Sequence, residues 1–257
     1  MVKWSFRDRQ KLSTAAMGGL LLALAAVTVA VGAGIGSRLN WWPFGTGFML
    51  LRWAVYAAIA AAIVSALGLF ASRPGGNKRG LLRSLLGLAI SLPVIILPLL
   101  WINTAGSVPP IHDISTDTQN PPQFDAISAL RADAPNSTEY GGPQVAAQQH
   151  EAYPDIQPVD VSVAPKTAFN TALQAGRQLG WAIIAQDPQT GRIEATDSTF
   201  WFGFKDDVVI RITAHDNGSR VDIRSVSRVG RSDVGTNAAR IRAFLREFQK
   251  DIHRQVK

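Results

Sequence analysis

The stretch Val208-Val209-Ile210-Arg211-Ile212-Thr213-Ala214-His215-Asp216-Asn217-Gly218-Ser219-Arg220-Val221-Asp222-Ile223 decides the fold of the C-terminal half. Val208, Ile210 and Ile212 recur at every second position of a segment that begins at Lys205, the period of a half-buried strand. Asp216-Asn217-Gly218-Ser219 has hairpin-turn chemistry. The following segment, Arg220–Val229, alternates again with Val221 and Ile223 inward. Two strands joined by a tight turn predict an antiparallel hairpin.

The same reading extends outward. Val159, Val161 and Val163 alternate as a strand. Pro165 can open a helix whose apolar face is Ala168, Phe169, Ala172, Leu173 and Leu179, with Gly180 closing it. Trp181–Gln186 and Arg192–Thr199 are strands about the turn Asp187-Pro188-Gln189-Thr190-Gly191. Beyond the hairpin, Asn237 is a suitable N-cap for a last helix that buries Ile241, Phe244, Leu245, Phe248 and Ile252. The order β-α-β-β-β-β-α predicts an α+β domain over 158–257, an antiparallel sheet with helices on one face. Residues 103–157 hold seven of the fourteen prolines and predict a partly ordered connecting segment. Within it, Asn120-Pro121-Pro122 predicts a helix start, followed by Phe124, Ile127 and Leu130 at helical spacing. Tyr140-Gly141-Gly142-Pro143 predicts a turn before a short helix through Ala152.

Residues 1–102 are of another kind. Three apolar runs, Ser13–Ile35, Phe48–Ala71 and Leu81–Ile102, each reach the ~20 residues that cross a bilayer. Lys3, Arg7, Arg9 and Lys11 flank the first run, and Arg73, Lys78, Arg79 and Arg83 surround the start of the third, whereas the intervening loop offers only Arg38. The positive-inside rule then predicts a cytoplasmic N-terminus and a C-terminal domain on the outer, periplasmic side of a bacterial inner membrane. Trp41, Trp42 and Trp101 suit an interfacial aromatic belt. An uncleaved first span is expected rather than a signal peptide cut after Val31-Gly32-Ala33; cleavage would leave the C-terminal half outside all the same. The runs are rich in Gly and Ala, which permit close helix approach in lipid. Pro93 and Pro98 predict kinks in the third. Arg52, the one charge inside the second run, is near enough to its start to snorkel. No acid or histidine lies mid-span, which argues against an ion-coupled transporter.

The 257 residues carry a formal net charge of +7, from 26 Lys/Arg and 19 Asp/Glu. Residues 1–102 hold ten of the basic residues and one acid, Asp8; residues 103–257 hold sixteen basic and eighteen acidic. The surplus belongs to the apolar half, so it marks topology and not a nucleic-acid footprint. The chain has no Cys, which excludes a disulfide framework, a thiolate metal site and a Cys nucleophile.

Several motifs of the C-terminal half are specific. They are Gly180-Trp181; Gly191-Arg192-Ile193-Glu194-Ala195-Thr196; Phe200-Trp201-Phe202-Gly203-Phe204-Lys205-Asp206-Asp207; and Val221-Asp222-Ile223-Arg224-Ser225-Val226-Ser227-Arg228-Val229-Gly230 with Ser232-Asp233, Gly235 and Asn237. Asp113-Ile114-Ser115-Thr116-Asp117, Asn120-Pro121-Pro122 and Tyr153-Pro154-Asp155 agree with them. Over about residues 108–250 the chain resembles the bacterial family of the domain of unknown function 1499. Many members carry a Pro-Asn-Cys-Val-Ser-type motif; here Ala134-Pro135-Asn136-Ser137 is its remnant and the Cys is missing. The resemblance implies a domain and no mechanism. By element order alone, the fold is also similar to helix-grip domains.

Each candidate site has an ordinary structural alternative. His112, His150, His215 and His253 are far apart and lack metal-ligand spacing. Asp206 and Asp207, near Glu194 and Asp197, could suggest sugar chemistry, but adjacent strand residues face opposite sides; solvated acids at a sharp turn are expected. Phe200, Trp201 and Phe202 are a candidate aromatic surface, with core packing the alternative. The candidate anion or partner loop is Arg224, Ser227, Arg228, Arg231, Ser232, Asp233 and Asn237, ahead of a helix N-terminus. Its alternative is structural: Asp233 and Asn237 cap backbone donors while Arg228 bridges to an acid. No catalytic, cofactor or metal set is visible. The expected function is non-enzymatic binding of a lipid headgroup or an envelope protein, in envelope maintenance. The alternatives are an accessory subunit of a membrane complex and a hydrolase on envelope substrates.

Overall fold

A computed structural model describes residues 11–74 and 78–255. The elements run β1 (Lys11–Leu12), α1 (Thr14–Arg38), α2 (Phe44–Ala71), β2 (Lys78–Arg79), α3 (Leu81–Ser107), β3 (Asp113–Ser115), α4 (Ala126–Leu130), α5 (Gly142–Ala152), β4 (Val159–Val161), α6 (Pro165–Gln178), β5 (Ala182–Asp187), β6 (Arg192–Ser198), β7 (Lys205–His215), β8 (Gly218–Ser227) and α7 (Thr236–Gln255). They form two compact units. One comprises residues up to Asn103 together with Phe200–Gly203; the other comprises Thr104–Thr199 and Phe204 onward. Lys3, Arg7 and Arg9, invoked for orientation, lie outside the described residues.

The first unit contains three helices of 25, 28 and 27 residues. At 1.5 Å per residue each is about 38 to 42 Å long, more than the ~30 Å hydrocarbon layer. All three are apolar enough to cross a membrane. Helix α3 continues through Pro93 and Pro98 as one helix. The buried positions of α1 are Ala16, Gly19, Ala23, Ala26, Ala30 and Ala33, with Gly34 and Gly36; those of α2 include Ala54, Ala58, Ala61, Ser65 and Gly68. Their alternating 3–4 spacing draws a seam of small side chains along each helix, and α3 repeats it with Ser84, Gly87, Ser91 and Val94. The backbones touch along the seam. A Cβ on Gly19 would lie 2.7 Å from Ser65 N, and one on Gly68 would lie 2.6 Å from Ala16 N.

The four residues Phe200–Gly203 pack within this helical unit. The Trp201 indole occupies the space that a Gly34 side chain would fill, and its Nε1 donates to Val31 O at 3.4 Å. The Phe202 and Phe48 rings are 4.9 Å apart, and Arg38 Nη1 donates to Phe200 O at 2.7 Å.

The second unit is α+β. Its six-stranded sheet has the order β3-β8-β7-β6-β5, and β4 pairs with the other end of β8; all pairings are antiparallel. The β7–β8 hairpin closes at His215↔Gly218, with Asp216 at φ 47°. The alternate positions Val208, Ile210, Ile212, Val221 and Ile223 are buried, as are Ile193 and Ala195 of β6. Against them lie Ala168, Phe169, Ala172 and Ala175 of α6 and Ile241, Phe244 and Phe248 of α7. Trp181 stacks on Phe244 at 5.5 Å. Helix α6 ends in a Schellman motif: Gly180, at φ 79°, donates to Arg177 O and Trp181 donates to Gly176 O.

Three local expectations are revised. Residues 104–157 belong to this unit and supply β3 to the sheet. The predicted helix start at Asn120-Pro121-Pro122 is instead irregular chain, and α4 begins only at Ala126. Asn237 does not cap α7; the Asp233 carboxylate accepts from Gly235 N at 2.9 Å and Asn237 N at 2.6 Å, and the Asn237 side chain is turned inward.

The seam makes Gly19 and Gly18 an informative pair, because a Cβ on Gly18 meets nothing within 4 Å. Gly19→Val should destabilise the purified protein by about 1–3 kcal/mol through overpacking. Gly18→Ala should leave its thermal unfolding in detergent unchanged or slightly raised; equal losses for both would refute the seam.

Candidate functional site

The sheet has a second face, and it is charged. It presents Arg192, Glu194 and Thr196 from β6, Asp207, Val209 and Arg211 from β7, and Asp222, Arg224 and Val226 from β8, as alternation requires, with Arg228 just past the end of β8. Alternation alone would leave these side chains in water. The segment around residues 116–141 covers them instead, and Glu194, Asp207, Asp222 and Arg224 are at most 1% exposed.

Each buried charge has partners. Arg224 grips Asp113 of β3 through Nε at 2.9 Å and Nη2 at 2.8 Å, and it donates to the carbonyls of Pro122 and Thr138 at 3.1 and 2.8 Å. Its guanidinium lies 5.4 Å from the ring centres of both Phe124 and Tyr140. Asp207 accepts from Arg131 at 3.1 Å, from Arg228 at 2.8 and 2.9 Å, and from Thr196 at 2.7 Å. Glu194 accepts from the backbone N–H of Asp125, Ala126 and Ile127 at 2.9, 3.3 and 2.8 Å, so it caps α4 from across the fold. Arg211 joins Asp117 and Asp222 at 3.1 and 2.9 Å.

Asp206 turns to the helical face. It meets Arg240 of α7 at 2.6 Å, and Arg240 also reaches Asp197 at 2.8 Å and Asn237 Oδ1 at 2.5 Å. Asn237 accepts from Ser225 Oγ at 2.7 Å and donates to His112 O at 2.9 Å and Ser227 Oγ at 3.0 Å. Asp206 and Asp207 thus occupy opposite faces, as strand geometry predicts. They are buried, however, and not the solvated acids that the sequence suggested. The neighbouring arginines explain the difference: a buried carboxylate is tolerated when hydrogen-bonded and paired.

The proposed loop therefore divides. Arg224, Ser227, Arg228 and Asn237 are consumed by internal bonds, and Asp233 caps α7. Burial pushes the Asp233 carboxyl above its usual range, opposed by the N–H groups of Gly235 and Asn237. Ser232 Oγ accepts from Val234 N at 3.1 Å. Arg231 is exposed and lines the rim of a cleft of about 410 Å³. The cleft wall includes His112, Asn136, Ser137, Glu139 and Val145, so the Ala134-Pro135-Asn136-Ser137 remnant borders it. Asn136 fixes the wall: its Nδ2 donates to Ser227 O and Gly230 O, both at 2.9 Å, and its N–H donates to Arg228 O at 3.1 Å. His112, Arg131, Asn136, Glu139 and Arg240 are not singled out as site residues by sequence, because their spacing carries no motif; the covering segment supplies Arg131, Asn136 and Glu139 on one face of the sheet, and α7 supplies Arg240 on the other. Of the aromatic candidates, Phe200 is 92% exposed, Phe202 is buried and Trp201 is half-buried.

Removing one partner of a buried pair strands the other. Arg224→Ala should therefore cost about 3–5 kcal/mol, read as a lowered denaturation midpoint. The Tyr140 phenol gives a spectroscopic handle. Burial, with the Asp113 charge next, pushes it up to about 12. Its folded pKa lies above the free value, so its contribution is intact below pH 10 and is lost as pH rises toward about 12. Absorbance titration should show a late phenol that Tyr140→Phe removes.

None of the curated proteins searched matches the chain. The family model described as "Protein of unknown function (DUF1499)" matches residues 113–248, which run from β3 to Phe248 of α7 and include the paired charges on both sheet faces and most of the cleft wall. More than half of the chain is covered, and the chain belongs to that family.

Proposed function

We propose that this chain is a multi-pass protein of the bacterial inner membrane that displays its α+β unit on the periplasmic side and works there by binding, not catalysis. The observation that carries the reading is the division of the loop. The motif arginines and carboxylates neutralise one another inside the fold, and Arg231 is left exposed on the rim of an open cleft. The Arg231 guanidinium, beside Ser137 and across the same cleft from Glu139, can donate to an anionic group carried by a lipid or by an envelope protein. The acids that a hydrolase would need are split between two sheet faces and bonded to arginines. The basic residues Arg73, Lys78, Arg79 and Arg83 support the cytoplasmic placement of their end of the helices. Phe200, 92% exposed, suits the membrane interface. The role we assign is maintenance of the envelope.

One observation favours an accessory-subunit reading. Helix α3 leaves Leu82, Leu97, Leu99, Leu100 and Ile102 more than half exposed, a surface that a further membrane helix could cover.

Native mass spectrometry of full-length protein, extracted gently from its own membrane, tests the proposal. A retained anionic lipid or peptide is expected, with retention falling at least about tenfold in Arg231→Ala, the loss of one charge-assisted contact. Retention of a membrane protein alone, unaffected by that substitution, would favour the accessory-subunit reading. Equal retention of a small molecule by both proteins would remove the cleft from consideration.

A further inference from the structure

The cleft that Arg231 borders holds a second charge, of opposite sign. Four ionisable side chains line its wall: His112, Asp113, Glu139 and Arg231. Asp113 is spent on Arg224, at 2.9 and 2.8 Å. His112 Nδ1 lies 3.4 Å from Arg231 O. Glu139 and Arg231 are exposed, and among the described residues neither side chain makes a hydrogen bond or an ion pair, with the other or with a third group. The backbone that carries them is tied down. Glu139 N donates to Ser137 Oγ at 3.0 Å, and Asn136 Nδ2 joins that segment to Gly230 O, next to Arg231, at 2.9 Å. Ser137 Oγ accepts in that bond, so its own O–H is left to donate. One end of the cleft therefore offers a guanidinium with a hydroxyl, and another offers a carboxylate. Between them Ile111 and Val145 supply apolar wall, and the volume of about 410 Å³ is that of a small-ligand site.

The chain also ties this cleft to the end of α3. That helix is about 40 Å long, some 10 Å more than the hydrocarbon layer, so the ends of a spanning α3 stand among headgroups. Its last turn, from Thr104, belongs to the same unit as the cleft. Pro110 of the cleft wall is three residues beyond Ser107, where α3 ends, and three residues span at most about 11 Å. The Arg231 loop is fastened to this same segment: Asp233 N donates to Ile111 O at 3.1 Å. A ligand that carries a phosphate and an ammonium, and that is concentrated in the headgroup layer, satisfies both charges.

We propose that the cleft takes the phosphoethanolamine headgroup of a membrane phospholipid, with its phosphate on Arg231 and the Ser137 hydroxyl and its primary ammonium on Glu139. The assignment rests on the reading of the Arg231 cleft as a binding site beside a membrane, and it adds the second charge that selects among phosphate-bearing lipids. A primary ammonium has three N–H donors for a carboxylate. The trimethylammonium of phosphatidylcholine has none, and the glycerol of phosphatidylglycerol carries no charge to pair.

The test uses full-length protein in nanodiscs of phosphatidylcholine doped with equal amounts of phosphatidylethanolamine and phosphatidylglycerol, read as lipid retained on native mass spectrometry. All three lipids offer a phosphate, and phosphatidylethanolamine should be retained about tenfold in preference to the others, the gain from one charge-assisted contact. Glu139→Gln should abolish the preference and leave phosphate-dependent retention in place. Arg231→Ala should lower retention of all three. Neither side chain is engaged within the fold, so both variants should unfold at the temperature of the unmodified protein. Equal retention of the three lipids by the unmodified protein, still lowered by Arg231→Ala, overturns the headgroup assignment and leaves the cleft. Retention that Arg231→Ala does not alter overturns the cleft and the assignment together. Displacement of the lipid by an equimolar amount of water-soluble glycerophosphoethanolamine, or of the zwitterionic dipeptide alanylalanine, also overturns the lipid, and gives the cleft to a free headgroup or to a peptide end.

Discussion

The bond that most of the second unit depends on is the Arg224–Asp113 pair. Arg224 is fully buried near the middle of β8, and Asp113 is 4% exposed in β3. An arginine there cannot be deprotonated and cannot reach water, so its donors must find acceptors from the fold. Asp113 provides two, and the Pro122 and Thr138 carbonyls two more. Two of those four acceptors belong to β3 and two to separate stretches of the covering segment. One guanidinium therefore holds a long, proline-rich run of chain on the sheet, where few apolar side chains could have done so; Ile127 is the main apolar anchor. Such a layer adds less net stability than an apolar one, because desolvation offsets much of the attraction. It also tolerates little displacement, since any shift strands a buried charge.

The helical unit obeys a different constraint. Helices this apolar are long enough to cross a membrane, where lipid would offer no hydrophobic drive between them and contact would have to come from close packing. The Ala and Gly positions of α1 and α2 supply it by letting backbone meet backbone. A side chain at Gly19 or Gly68 would collide with main-chain atoms, which cannot move aside as a flexible side chain can. The same economy of size admits Trp201 beside Gly34 and Phe202 beside Gly47, so one aromatic segment fills places that small residues leave.

What the sequence made legible follows from these two kinds of packing. The alternation of Val208, Ile210 and Ile212 and the spacing of Ile241, Phe244 and Phe248 are local signals of apolar burial, and the sheet, its hairpin and α7 appear where those signals put them. The charged alternate positions read as a solvent face, because periodicity reports which residues are polar and not what lies over them. The start of α4 was illegible for a related reason. Pro122 lends its carbonyl to Arg224, and the first N–H groups of α4 are capped by Glu194, nearly seventy residues away in sequence. No local propensity records a cap at that distance. Strand β3 is three residues long, too short for alternation to show. For the candidate loop, the sequence identified residue types suited to anions, but which arginine stays available depended on partners such as Asp113 and Asp207.

That last distinction bears on how the motifs of this family should be understood. A run containing Arg224, Arg228, Asp206, Asp207 and Asn237 has the composition of an active site. Here those groups satisfy each other across two faces of one sheet, with Asp207 shared by Arg131 and Arg228 and Asp206 held by Arg240. The motif reads more economically as the set of contacts that lets a polar segment fold over a sheet. Residues at the edge of that set are then the ones free to meet a ligand. Asn136 illustrates the arrangement: its amide ties down the loop ahead of Arg231, and its neighbour Ser137 faces the cleft. The buried charges fix the wall, and the wall fixes where the exposed guanidinium stands.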